Sequence, residues 1–385
     1  MDDTMLYPLK LTRGFLPESD PLAKLPAAFA VWEQAAAELP KWLLAKHIRR
    51  GLEKLPVFPV EQLRTPEQIE RAMMILSFLG HAYVWGEPDP ADILPAVIAL
   101  PWYQVAKLLQ RPPVLSYASY ALANWRRLDA DAPVELGNIV LLQNFLGGMD
   151  EEWFILVHVD IEAKAGSGLR AIGCAQQAVA DENAGGVINA LLQMKLSLTA
   201  SCEVLDRMSE HCDPYIYYNR VRPYIHGWKN HPVLKQGLIY QGVEEYQGRP
   251  QFFRGETGAQ SAIIPSFDAA LGIVHTDDIL SQFLKEMREY MTPEQRDFID
   301  TVAQNAAIRQ YVIDQQQHFP ELKKYYNDCI LLIERFRSTH IKYATQYIQK
   351  QHQVSLANPN AVGTGGTPFV DYLRKHRDET NLHLI

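Results

Sequence analysis

Apolar positions along this chain recur at steps of three and four, while runs of alternating polar and apolar residues are rare and short. That periodicity predicts a mostly α protein. The longest instance follows Pro320, a residue suited to a first helical turn. It sets Leu322, Tyr325, Cys329, Ile333, Phe336, His340, Ala344 and Tyr347 on one apolar face. A second apolar segment, Trp153 to Glu162, places Phe154 and His158 four apart and so on the same side. Thr65-Pro66-Glu67-Gln68 and Thr292-Pro293-Glu294-Gln295 have the form of capping boxes with proline at the first helical position. One helical segment ends at His81-Ala82-Tyr83-Val84-Trp85-Gly86, and Arg111-Pro112-Pro113 breaks the next. Tyr117 and Tyr120 then share a helix face. Asp129-Ala130-Asp131-Ala132-Pro133 reads as a linker, which divides the chain into 1–132 and 133–385. The chain shows neither a fixed-period repeat nor a low-complexity tract.

Composition narrows the function classes. Of 385 residues, 47% are hydrophobic and 21% charged, which suits a well-cored folded protein. The formal net charge of -8 argues against general nucleic-acid binding, which needs a cationic surface. No apolar run approaches the roughly 18 residues of a bilayer-spanning helix. Met1-Asp2-Asp3-Thr4 is acidic where a signal peptide is positive, so a cytoplasmic protein with no membrane partner is expected. Cys174, Cys202, Cys212 and Cys329 form no C-x-x-C pair, and their scatter suits reduced thiols.

Candidate chemistry centres on the histidines. His340 sits within an apolar stripe, with Arg337 three residues earlier on a neighbouring position. An imidazole there with a guanidinium one turn away suits a metal-bearing, anionic cofactor such as haem. A core histidine bonded to a backbone carbonyl is the alternative, for His340 and for His158 alike. Between Tyr215 and Trp228, aromatics interleave with Arg220 and Arg222. In an acidic chain this suits a pocket that stacks an aromatic ring and clamps a carboxylate; a tyrosine-rich packing surface is the alternative. Phe253 to Ser261 reads as a glycine-containing loop without the phosphate-loop pattern, and Gly363-Thr364-Gly365-Gly366-Thr367 as a loop with hydroxyl donors that could cover a ligand. A short amphipathic helix from about Pro368 to His376 is expected to close the chain.

Six motifs then stand in a familiar order: Ala82-Tyr83-Val84-Trp85-Gly86, Leu122-Ala123-Asn124-Trp125, Gly227-Trp228-Lys229, Phe267-Asp268 with Leu271-Gly272-Ile273, Arg337-Ser338-x-His340, and Gly363 to Thr367. From about Tyr83 to Lys375 the chain resembles the indoleamine 2,3-dioxygenase family. The resemblance implies an all-α fold, with a small N-terminal helical domain (1–132) contributing to the pocket and a large haem-binding helical domain (133–385). It implies haem b as cofactor, with His340 on the iron and Arg337 on a propionate. Arg222 falls where the substrate carboxylate is held. Tyr117, Tyr120, Phe154 and Tyr217 fall at pocket-lining positions, Thr257 and Gly258 on the loop beside the haem, and Thr364 and Thr367 on the loop over the substrate. Two departures stand out. His158 occupies the position of a serine in the mammalian enzymes, in the manner of tryptophan 2,3-dioxygenases, and Tyr217 stands where phenylalanine is common. The implied activity is cleavage of the indole C2–C3 bond of L-tryptophan or a related indole by O2, with an electron donor keeping the iron ferrous. The alternatives are a haem protein acting on a tryptophan derivative in secondary metabolism, and a non-catalytic haem sensor.

Overall fold

The structure is a computed structural model and describes residues 9–354 and 370–385. Among these residues lie eleven helices of at least eight residues: α1 (Ala30–Leu44), α2 (Pro66–Trp85), α3 (Ala96–Leu108), α4 (Met149–Ala180), α5 (Ala184–Asp206), α6 (Ile263–Leu271), α7 (Ile279–Met287), α8 (Pro293–Gln304), α9 (Ile308–Gln315), α10 (Pro320–Ala344) and α11 (Val370–Asn381). The paired strands are two residues long: Ile93–Leu94 runs parallel to Ile239–Tyr240, and Arg126–Arg127 antiparallel to Ile139–Val140. The fold is all-α, as the periodicity predicts.

Local signals set the helix ends. At α8 the box is reciprocal: the Gln295 amide donates to Thr292 Oγ1 at 3.3 Å, and the Thr292 amide to Gln295 Oε1 at 3.0 Å. At α2 the Gln68 amide likewise donates to Thr65 Oγ1 at 3.3 Å, but the Gln68 side chain accepts from the Arg64 amide at 2.8 Å. That is one residue earlier than the box requires. Every residue of α2 from Arg71 to Val84 is buried, so this helix is enclosed on all sides. Arg71 tolerates that position because its guanidinium donates to both oxygens of Glu33, at 3.1 and 2.7 Å.

The stretch expected as a linker forms a turn. Asp129 to Pro133 lies in the turn of the Arg126–Val140 hairpin, where Asn138 Nδ2 donates to the carbonyls of Asp129 at 3.0 Å and Pro133 at 2.8 Å. Proline and acidic residues mark a turn as readily as a linker, and the difference rests on a tertiary bond from a residue further along.

Two buried cores meet at α4. Ile155, Leu156 and Val159 join the core built on α1 to α3, whereas Val157, Ile161 and Ala165 join the core shared by α5, α6 and α10. Residues well past 133, including Ile225, Trp228 and Tyr240, belong to the first core. Replacing Ile155, which is fully buried, with alanine should cost about 2–5 kcal/mol. The strand Thr12–Phe15 lies against α4, and Gly14 (φ +64) makes that approach: a Cβ there would stand 2.0 Å from the Glu162 carbonyl oxygen. Among the described residues no helix is long and apolar enough to cross a membrane.

Candidate functional site

His158 projects from α4 at the junction of the two cores. Its Nδ1 lies 2.7 Å from the Phe154 carbonyl, an acceptor only, so Nδ1 carries the proton and Nε2 offers a lone pair. Burial pulls its pKa below the usual histidine value, and the ring is neutral near pH 7. The Phe154 ring lies 4.8 Å from the imidazole, and Tyr117 meets it edge-on at 5.9 Å.

His340 corrects one expectation. Its neighbours Ile341, Tyr343 and Ala344 are buried, but His340 itself is open to solvent. Protein nevertheless surrounds it closely enough that burial, reinforced by His158, lowers its pKa to about 4. His158 lies near enough for its charge to contribute to that lowering, and His340 is exposed where its helix neighbours are buried. Among the described residues His340 has no hydrogen-bond partner. His81 shows the contrasting arrangement, a true core histidine: Nδ1 pairs with the Tyr224 carbonyl at 2.8 Å and Nε2 accepts from the Leu115 amide at 2.9 Å.

The predicted aromatic residues converge. Phe154 contacts Tyr217 at 4.5 Å and Tyr120 at 6.5 Å between ring centroids. Arg222 is completely buried, with its cation 5.2 Å from the Tyr218 ring centroid, and it lowers the pKa values of His226 and His231 beyond what burial does. Three one-turn π-helices carry tyrosines into this region: Ala118–Leu122 (Tyr120), Tyr217–Val221 (Tyr217) and Thr345–Gln349 (Tyr347), with Tyr217 and Tyr347 in contact at 5.7 Å. Such widened turns re-aim side chains that regular spacing would point elsewhere. Periodicity at 3.6 residues cannot find them.

Thr257 and Gly258 lie on the loop packed against the Arg222–Ile225 turn. That contact needs two glycines back to back, since a Cβ on Gly227 would sit 2.2 Å from the Gly255 amide nitrogen and a Cβ on Gly255 equally close to that of Gly227. Thr257 Oγ1 caps the next turn, accepting from the Ala259 amide at 3.4 Å, and Gly258 is exposed. Thr364 and Thr367 lie outside the described residues.

Arg337 turns toward the end of the chain. It ion-pairs with Asp268 at 2.5 Å, donates to Thr380 Oγ1 at 2.5 Å and approaches His275 Nε2 at 3.2 Å. These contacts use Nη1 and Nη2, and among the described residues the Nε–H donor is not engaged.

Two acids were not foreseen. Glu162 accepts from the Tyr117 hydroxyl at 3.0 Å and from Ser261 Oγ at 2.9 Å, and burial raises its pKa to about 7. Its position one turn beyond His158 on an apolar helix was a usable signal. Burial raises Glu256 to about 8, and its charge bears on Tyr117, Tyr120 and Tyr217. Burial also raises the Cys202 thiol to about 11, while Cys212 lines a separate surface cavity of about 350 Å³ with Tyr347. A second cavity, of about 210 Å³, lies near Phe15 and Arg111. Neither cavity contains His158 or His340.

The sequence pattern of indoleamine 2,3-dioxygenases matches residues 4–383. The chain belongs to the indoleamine 2,3-dioxygenase family. It is 32% identical to indoleamine 2,3-dioxygenase 2 of Homo sapiens, over 97% of this chain and 93% of that protein. It is 33% identical to indoleamine 2,3-dioxygenase 1 of Rattus norvegicus (95% and 92% covered). It is 32% identical to the indoleamine 2,3-dioxygenase nanC of Aspergillus nanangensis (98% and 96% covered). In this indoleamine 2,3-dioxygenase family member, His158, Phe154, Tyr117, Tyr120 and Tyr217 form one connected aromatic group.

Proposed function

We propose that this chain is a haem-dependent dioxygenase that inserts both atoms of O2 across the indole C2–C3 bond of L-tryptophan, or a related indole, to give N-formylkynurenine. The observation that carries this reading is the aromatic group around His158, whose tautomer the Phe154 carbonyl fixes, together with His340, a neutral imidazole with no hydrogen-bond partner among the described residues. The donor set fits haem b: His340 offers a nitrogen to iron, and Arg337 retains an N–H donor for a propionate beside its ion pair with Asp268. Thr257 and Gly258 belong to the loop beside the cofactor. Haem b, when bound, supplies the iron that activates O2.

The chain's own residues orient the substrate. Arg222, a buried cation flanked by Tyr217 and Tyr218, holds the α-carboxylate. Phe154, Tyr117, Tyr120 and Tyr217 enclose the indole and keep water from it. His158 Nε2 accepts the indole N–H, which the bond from Nδ1 to Phe154 pre-sets. Thr364 and Thr367 supply hydroxyls over the bound substrate. Holding the reacting partners in this geometry lowers the barrier by several kcal/mol, within the roughly 7–11 kcal/mol that positioning can supply. The reading includes an electron donor that keeps the iron ferrous, a cytoplasmic setting within tryptophan catabolism by the kynurenine route, and the division at 132/133. It includes neither nucleic acid nor a membrane as partner.

The test is an optical titration of the reduced, haem-loaded protein with L-tryptophan, followed by product analysis under O2. The expected result is a saturable shift of the haem band and formation of N-formylkynurenine. A band indifferent to tryptophan discards the substrate, and binding without ring opening discards the dioxygenase reaction.

A further inference from the structure

Away from the aromatic pocket, the link between α6 and α7 meets the C-terminal helix α11 through a compact group of metal-ligating side chains. One ligand atom each of His275, His376 and Glu379 lies within 4.8 Å of the others. His376 and Glu379 stand three apart on α11 and so face the same way. The two imidazole rings stack at 4.0 Å with planes 5° apart, and His275 Nδ1 lies 2.9 Å from Glu379 Oε2.

Three features separate this group from an ordinary surface cluster. It is enclosed: the side chains of His275 and Glu379 are each 12% exposed, and His376 is 4% exposed. His376 Nε2 is buried without a hydrogen-bond partner among the described residues, an orphaned polar atom of the kind that calls for a ligand. An outer carboxylate is in place, since Asp268 Oδ2 lies 3.6 Å from His275 Nε2, the arrangement by which a carboxylate orients a metal-binding imidazole. Two cations share the neighbourhood. Arg337 is 3.2 Å from His275 Nε2, and Lys375 is 3.7 Å from Glu379 Oε1. The carboxylates of Asp268, Asp278 and Glu379 outnumber them.

We propose that His275, His376 and Glu379 bind a divalent transition metal of the zinc type, which clasps α11 onto the α6–α7 link beside Arg337. Two imidazoles and one carboxylate are a borderline-soft set suited to Zn2+, with a fourth position left for water. Metal takes the place of the proton that His275 Nδ1 shares with Glu379. That proton reappears on Nε2, where Asp268 accepts from it, so the ring stays neutral. Arg337 gives up its contact with His275 and keeps Asp268. The clasp is distinct from the iron ligand proposed at His340, and it persists or fails independently of the reaction assigned above.

The test uses the full chain, stripped with a chelator and titrated with zinc chloride by calorimetry, with zinc and iron counted separately by elemental analysis. One zinc per chain is expected, with a zinc-dependent rise in the melting temperature. His376→Ala and Glu379→Gln should each weaken zinc binding by at least about tenfold, the scale seen when even supporting residues of metal sites are lost. His318→Ala should leave it unchanged, because the His318 side chain is exposed and among the described residues contacts none of the three ligands. Absence of stoichiometric zinc binding by the intact, folded chain overturns the proposal. So does unaltered binding in either ligand variant.

Discussion

His158 donates from Nδ1 to the carbonyl of Phe154 at 2.7 Å, one turn back along α4. A backbone carbonyl cannot donate in return, so this bond fixes the tautomer and leaves Nε2 as an acceptor. The same contact sets the ring 4.8 Å from Phe154, whose own ring meets Tyr217. Orientation, protonation and aromatic packing are thus determined together by Phe154 and His158, one turn apart on α4, and by Tyr217 from another element.

Removing that acceptor should impair turnover without loss of cofactor. His158→Ala is expected to keep haem absorbance and to lose at least about tenfold in kcat/KM for L-tryptophan, the value of one well-placed hydrogen bond. Folding stability should fall by only about 1 kcal/mol, because a single neutral hydrogen bond is lost. Steady-state kinetics on the reconstituted variant is the check, and unchanged turnover would remove His158 from the mechanism.

His340 predicts the opposite separation. Its side chain has no hydrogen-bond partner among the described residues, so His340→Ala leaves no polar group unsatisfied and should change folding stability by less than about 1 kcal/mol. Haem retention should be lost. Absorbance after reconstitution, beside a urea midpoint, measures the two effects. A variant that binds haem as well as the parent would displace His340 as the ligand.

Much of this arrangement is legible in the residues alone, and for identifiable reasons. The capping signal at Thr292 and the stripe from Leu322 to Tyr347 are local, and local rules read them. What escapes is whatever depends on departure from those rules or on distant chain. The π-turns at Tyr120 and Tyr217 break the period. The Asp129–Pro133 turn depends on Asn138, and the partners of Arg337 come from Asp268 and Thr380, 69 and 43 residues away. His340 lies on the stripe as predicted, yet is exposed. A side chain exposed on an otherwise buried stripe reads, in sequence, like core.

Arg222 is expected to govern substrate affinity. Arg222→Gln removes a charged partner worth about 1.5–3 kcal/mol for a carboxylate, so KM for tryptophan should rise roughly ten- to hundredfold with a smaller change in kcat. A structural readout accompanies it. The Arg222 cation lowers the pKa values of His226 and His231, so both should move upward in the variant, as NMR titration of the imidazoles would record. Histidines that stay put, with KM unchanged, would contradict the assignment.

Glu162 should give the fold a pH dependence of definite sign. Burial raises its carboxyl from the ordinary 4.5 to about 7, against hydrogen bonds from Tyr117 and Ser261 that favour the charged form. Below pH 4.5 the group is protonated in both folded and unfolded chains, and its contribution to stability is complete. Between pH 4.5 and 7 the unfolded chain releases this proton while the folded chain retains it, so stability falls as pH rises and levels off above 7. The full span is on the order of 3 kcal/mol, from a shift of two to three units at 1.36 kcal/mol each. Glu162→Gln keeps an oxygen that can accept from Tyr117 and cannot ionise. It should therefore gain on the parent as pH rises from 4.5 to 8, with most of the gain complete by pH 7. Glu256, raised from 4.5 to about 8, contributes a slope of the same sign between those pH values in both proteins and cancels in the comparison. Urea midpoints at pH 4.5, 6 and 8 decide the matter: parallel curves for parent and variant would mean that Glu162 is already ionised in the fold. Its bonds to Tyr117 and Ser261 would then outweigh its burial.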